Sequence, residues 1–269
     1  MFDPYGASGA TASTISKFDG GISTILFLGG MTSVAAGVGS TFELVGHFNS
    51  PVFYDAGNTV VAIPTGLQVS GTFRFTCVVT SVVDNGDTTG SLFFKTTGVG
   101  WMEVFANTSQ TVSMTQGSGY DTGKLIARLT GLDANKPGNI DYGGTGTVSN
   151  LGSGYAGQNS MGVSGSIANM VLGTTTSEFD PSYFVNSSSA SRLKMFGETF
   201  NLNFGGVYAA HRFTPNECSV GVGSINTSPQ VVGGSGGIAA TLGSVNAGYP
   251  SYGGPDFIVM SGGNMPIVQ

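Results

Sequence analysis

The sequence predicts an all-β protein, an antiparallel β-sandwich of jelly-roll-like kind with long glycine-rich loops and at most short helices. Three observations predict it. Apolar and polar residues alternate with period two in several segments. Glycine and Asx turns separate those segments. Apolar residues make up 40% of 269 residues, enough for a core, yet no stretch of helical period is long enough for a bundle. All-β units often reach this length as one domain, so residues 1–269 read as a single sandwich domain.

The elements follow in order. The opening Phe2-Asp3-Pro4-Tyr5-Gly6 leads into a Gly/Ala/Ser/Thr run with no helical pattern. Residues 21–42, GISTILFLGGMTSVAAGVGSTF, are long enough to cross a membrane. Their many Gly, Ser and Thr and the lack of a basic flank read instead as buried strands around a turn at Gly29-Gly30. They also lie too far from the start, without a basic n-region, to be a secretion signal. Thr41–Phe48 sets Phe42, Leu44 and Phe48 against Glu43 and His47.

Leu67–Val79 is the clearest strand. Val69, Phe73, Phe75, Cys77 and Val79 share one face with Gly71, and Ser70, Thr72, Arg74 and Thr76 share the other, polar face. Asp84-Asn85-Gly86-Asp87 is the strongest hairpin signal in the chain. Trp101–Asn107 is a further strand, and in Lys124–Leu132 the residues Leu125, Ala127 and Leu129 alternate with Lys124 and Arg128. Residues 133–165 read as a turn-rich loop excursion, too long for a silent connection. Gly165–Gly173 suits a short helix, and Asp180-Pro181 suits a capped helical turn. Thr199–Gly206 and Asp256–Met260 read as late strands on either side of a Gly-rich arm at about 231–255.

Composition narrows the function classes. Charged residues make up 9%, against roughly 25% in ordinary soluble domains. There are 45 glycines, and the formal charge is −6. Nine scattered Lys and Arg make no phosphate-binding patch, so no nucleic-acid partner is expected. A surface this poor in charge favours association, and the chain itself is the expected partner. A secreted monomer made soluble by its hydroxyls is the plainer alternative.

No motif carries chemistry. Gly233–Gly237, GGSGG, matches a nucleophile elbow without the following helix, and both His47 and His211 precede Ser235. Gly152–Gly157, GSGYAG, lacks the βαβ unit of a dinucleotide site. Asp133, Asn135, Asn139 and Asp141 alternate like oxygen ligands but lack calcium-loop spacing, and they read as Asx turns. Two His and two Cys far apart make no zinc pattern. Catalytic activity, metal and cofactor are therefore not expected.

Of 28 aromatics, 18 are Phe and read as core. Trp101 reads as core or interface. Tyr120, Tyr142, Tyr155, Tyr249 and Tyr252 sit in loop-like, glycine-rich sequence as contact anchors or loop packing.

The first thirty residues resemble the start of mature flocculation-associated PEP-CTERM proteins, exported bacterial proteins of exopolysaccharide producers. The resemblance lies in Phe2-Asp3-Pro4, the Gly/Ala run Gly6–Ala12, Phe18-Asp19 and the apolar strand Ile25–Gly30. Near the other end, Gly254-Pro255-Asp256-Phe257 is similar to that family's close, and YFVN…ETFNLNFGGVYAAHRFTPNECSV is similar to its late strands. The family's signal peptide and Pro-Glu-Pro sorting tail are not in these residues, which end at GGNMPIVQ; either both are expected to have been processed away, or this is a family-like domain with another fate.

The resemblance implies an extracellular or cell-surface location, a structural or adhesive role in flocs or biofilm matrix, and extracellular polysaccharide nearby. It implies no active site. In an exported chain the even count of two cysteines favours a Cys77–Cys218 disulfide over two free thiols. Strand addition between subunits is the expected contact, with Ile22–Leu28 (Ile22, Ile25, Leu26, Phe27 and Leu28 above all) and Asp256–Met260 as donor segments. A virion capsid or tail protein and a carbohydrate-binding adhesin module are the alternatives.

Overall fold

The computed structural model describes residues 2–6, 15–28, 37–50, 52–55, 57–85, 90–109, 119–147, 159–167, 170–185, 192–195, 199–201, 211–212 and 257–268. These contain strands and turns and no helix. The strands are β1 (Ile15–Leu28), β2 (Thr41–Ser50), β3 (Val52–Asp55), β4 (Gln68–Asp84), β5 (Gly90–Asn107), β6 (Lys124–Leu132) and β7 (Pro137–Thr147). They continue with β8 (Asn159–Ile167), β9 (Met170–Phe179), β10 (Arg192–Met195), β11 (Thr199–Asn201), β12 (His211–Arg212) and β13 (Phe257–Val268). Every pairing is antiparallel, in an all-β, sandwich-like fold.

The sheet closes on itself. Its order runs β11-β8-β7-β5-β4-β2-β1-β13-β10-β9-β6, and β6 pairs back onto β5. Strands β5, β4, β2, β1, β13, β10, β9 and β6 thus form a circuit, and closure removes the open edges that invite unwanted pairing. The long strand β5 serves two neighbours. Gly90–Lys95 pairs with β7, and Trp101–Ala106 pairs with β6. The hand-over falls where three residues of β5 bulge out between Thr96 and Gly100, with Gly98 at φ +91°.

Thr96 secures that junction. Its hydroxyl donates to the Asp133 carbonyl at 2.6 Å and accepts from the Lys136 N–H at 3.0 Å, while its carbonyl accepts from the Asn135 N–H at 2.8 Å. The turn 133–136 therefore leaves β6 and delivers β7 to the first half of β5. The stretch 133–165, expected as a loop excursion, accordingly holds β7 and most of β8, paired from Gly138 opposite Ile167 to Thr147 opposite Asn159. Of residues 165–173, expected as a short helix, 165–167 end β8 and 170–173 begin β9. Pairing overrides local preference there, with Leu172 opposite Leu132 and buried in the core.

The core lies inside the circuit. Alternation in β4 places Val69, Phe73, Phe75, Cys77 and Val79 there, against Phe42, Leu44 and Phe48 of β2 and Met102 and Val104 of β5. Gly71 is required among them. A Cβ on it would run into the Phe48 ring and the Glu103 carbonyl, so the glycine gives Phe48 its place across the strand pair.

The opening residues cap one end. Phe2 is buried, stacked on Phe53 and edge-on to Phe18 and Phe184. Two Asp-Pro turns meet there. The Asp3 carboxylate accepts from the Tyr5 N–H at 2.9 Å, as the Asp180 carboxylate accepts from the Ser182 N–H at 2.8 Å. The Asp3 N–H donates to the Tyr183 carbonyl at 2.7 Å, which joins the two turns. Asp180-Pro181 starts the expected single turn, with the Phe184 N–H donating to the Asp180 carbonyl at 2.8 Å.

Candidate functional site

The two segments expected to donate strands lie side by side. Antiparallel β1 and β13 run from Lys17 opposite Pro266 to Phe27 opposite Phe257, with Thr24, Ile25 and Leu26 opposite Met260, Val259 and Ile258. Ile22 faces Gly262, beside a bulge between Asp19 and Ile22. On its other side β1 pairs with β2, from Thr24 opposite His47 to Leu28 opposite Glu43, and β3 pairs with its first half from Ile15 to Asp19. Ile25, Leu26 and Phe27 are therefore flanked on both sides by strands of their own chain.

The two flanks of β13 differ. Its β1 side is paired along most of the strand. On the far side, among the described residues, β12 takes Phe257 and Ile258, and β10 takes Ile267 and Val268. β13 is thus the strand that joins β1 to β10 and so closes the circuit.

Outside the barrel wall the sheet carries a polar band. Cross-strand register sets His47, Thr72, Glu103, Arg128 and Glu178 in one row over β2, β4, β5, β6 and β9. The polar face expected of β4 is only half in water. Ser70 and Thr72 are buried, as are His47 and Glu103. The cover is the turn before β6. Tyr120 stacks on His47 with ring centroids 3.7 Å apart, and its carbonyl accepts from the Ser70 hydroxyl at 2.9 Å. Burial pushes the Tyr120 phenol up to about 12, so it stays protonated at neutral pH. Tyr120 is legible in the sequence as a contact anchor or loop-packing residue, but its partners are not, because they come from 50 or more residues away in the chain.

The charged groups of the described residues include four ion pairs. Arg128 Nε meets Glu103 Oε1 at 2.9 Å, and Lys124 Nζ meets Asp180 Oδ2 at 2.7 Å. Arg74 pairs with Glu43 through both oxygens. Lys136 Nζ meets Asp133 Oδ2 at 3.2 Å, so one candidate calcium oxygen is engaged by a cation of its own turn. Partial burial works to raise the Asp180 carboxyl. Hydrogen bonds from Lys124 and Ser182, with the Lys124 charge, outweigh it and hold the carboxyl below its ordinary range.

Among the described residues Cys77 has no sulfur partner; it is enclosed by the core, and burial pushes its thiol up to about 12. Its expected disulfide partner, Cys218, lies outside the described residues, as do the Gly-rich arm at 231–255 and Tyr155, Tyr249 and Tyr252. Trp101 sits half-buried on β5 between Arg74 and Thr130.

No known protein family matches the chain, and no curated protein or solved structure does.

Proposed function

We propose that this chain is an extracellular structural protein of a cell-surface, biofilm or floc matrix, and that it works by associating with copies of itself into filaments or sheets. The observation that carries the reading is the pairing of β1 with β13. The two segments whose sequences suit strand donation complete each other's edges, through main-chain hydrogen bonds that any copy of the chain supplies equally well. The 9% charge and the −6 balance support it, since little repulsion keeps copies apart and no basic surface invites nucleic acid. The ion pairs and buried polar groups described above brace strands and turns, which is the use a scaffold makes of them.

Electron microscopy of the purified, untagged chain at neutral pH tests the reading. Regular filaments or sheets are expected. Dispersed monomers over a wide concentration range overturn self-assembly and favour an anchored adhesin or glycan-binding module. Closed particles holding nucleic acid favour a virion protein instead.

A further inference from the structure

We infer that β13 is the exchanged element, and that the slot between β1 and β10 receives β13 of a second copy of this chain. The inference rests on the self-assembly reading and specifies its contact.

Three features single out β13. It is the final strand of the circuit in chain order, and it joins β1 to β10, so its departure leaves those two strands each with an edge to fill. Its neighbour β1 is anchored independently. β2 and β3 hold the opposite side of β1, and Phe18 of β1 is buried against Phe2 and Phe53. The remaining feature is the length of chain that precedes it. The 44 residues 213–256 separate β12 from β13, and they contain 10 glycines and only two charged residues, Glu217 and Asp256. A chain of that length reaches on the order of 100 Å when extended. The closing strand therefore satisfies its own slot or a neighbour's with the same register, and the pairing energy per slot is nearly the same. Concentration then decides between the closed monomer and the linked assembly, as in other exchanges of an identical element.

Register defines the test. In an antiparallel pair, directly opposed residues alternate between hydrogen-bonded and closer, non-hydrogen-bonded sites. One of the adjacent pairs Ile25/Val259 and Leu26/Ile258 therefore has the shorter spacing that a disulfide accepts. In a Cys218→Ser background, one chain carries Ile25→Cys and a second carries Val259→Cys. A parallel set carries Leu26→Cys and Ile258→Cys. The two chains are mixed before assembly and then oxidised, and products are identified by mass.

Mixed heterodimeric disulfides in one of the two sets, growing with protein concentration, are the expected result. Each double variant on a single chain reports folding, because it closes an intrachain disulfide when β1 and β13 pair in the same molecule. Assemblies visible by microscopy without heterodimeric disulfides in either set, alongside intrachain closure of a double variant, overturn the exchange and leave self-assembly standing. A wild-type chain that never assembles overturns both.

Discussion

Phe2 lies parallel to Phe53, with ring centroids 5.3 Å apart and planes 11° from one another. A residue at the very start of the chain thus fills the end of the core, where Phe18 and Phe184 close around it edge-on. Phe2→Ala removes a fully buried ring and is expected to cost about 3 kcal/mol, with Phe2→Leu costing less. Urea unfolding followed by Trp101 fluorescence measures both. Equal stability of Phe2→Ala and the parent would mean that the end cap contributes nothing.

The Glu103–Arg128 pair is unequal in its surroundings. The Glu103 side chain is 4% exposed, while that of Arg128 is 39% exposed. Arg128→Ala leaves a buried carboxylate without its cation and is expected to cost about 2 kcal/mol, toward the low side for buried pairs because Arg128 is partly in water. Glu103→Gln removes the buried charge itself and costs less. The two changes together should cost less than the sum of their separate effects, and a double-mutant cycle reads that coupling.

Acid stability should depend on Asp180. Its carboxyl is held below the ordinary 3.8 in the folded chain, so the unfolded chain takes up a proton first as pH falls. The contribution is fully present above the ordinary value and is lost as pH drops through the lower, folded one. Asp180→Asn and Lys124→Met should each flatten the loss of stability as pH falls below the ordinary carboxyl value of 3.8. Unfolding free energies measured across that range test the sign, and a steeper acid loss in either variant would contradict it.

Cys77 should be inert in the folded chain. Its thiol is held up to about 12 by burial, and the thiolate is the form that reacts. In a Cys218→Ser background at pH 8, a thiol-specific reagent should leave Cys77 unmodified until denaturant is added. Rapid labelling under native conditions would place the thiol in contact with water.

Some of this was legible in the sequence, and the reasons are local. The alternation of Val69, Phe73, Phe75, Cys77 and Val79 assigned the strand and its buried face, and both hold. β4 and β5 pair on either side of the expected turn, with Asp84 opposite Gly90, while Gly86 and Asp87 lie outside the described residues. What escaped depends on distant partners. Ser70 and Thr72 read as solvent-facing because alternation cannot know that distant chain will bury them, as Tyr120 does at Ser70. β7 and β8 are poor in the large β-branched and aromatic residues that mark strands, and their glycines imitate a loop. Phe2 was legible as part of the Phe-Asp-Pro opening but not as the end cap of the core, since its partners Phe53 and Phe184 are far away in sequence. The candidate segments of β1 and β13 were each visible as apolar runs, whereas their meeting was not.

The circuit's last strand also sets a clock on synthesis. Phe27 and Phe257 face each other across 230 positions of chain, so β1 emerges from the ribosome long before its partner exists. Pairing of such long range is slow to form, and strand edges left waiting are exposed to other chains. Every newly made molecule therefore passes through a period with β1 in place and β13 still to come. Under the exchange proposed above, how crowded its surroundings are during that interval decides whether its last strand returns to its own barrel or enters another's.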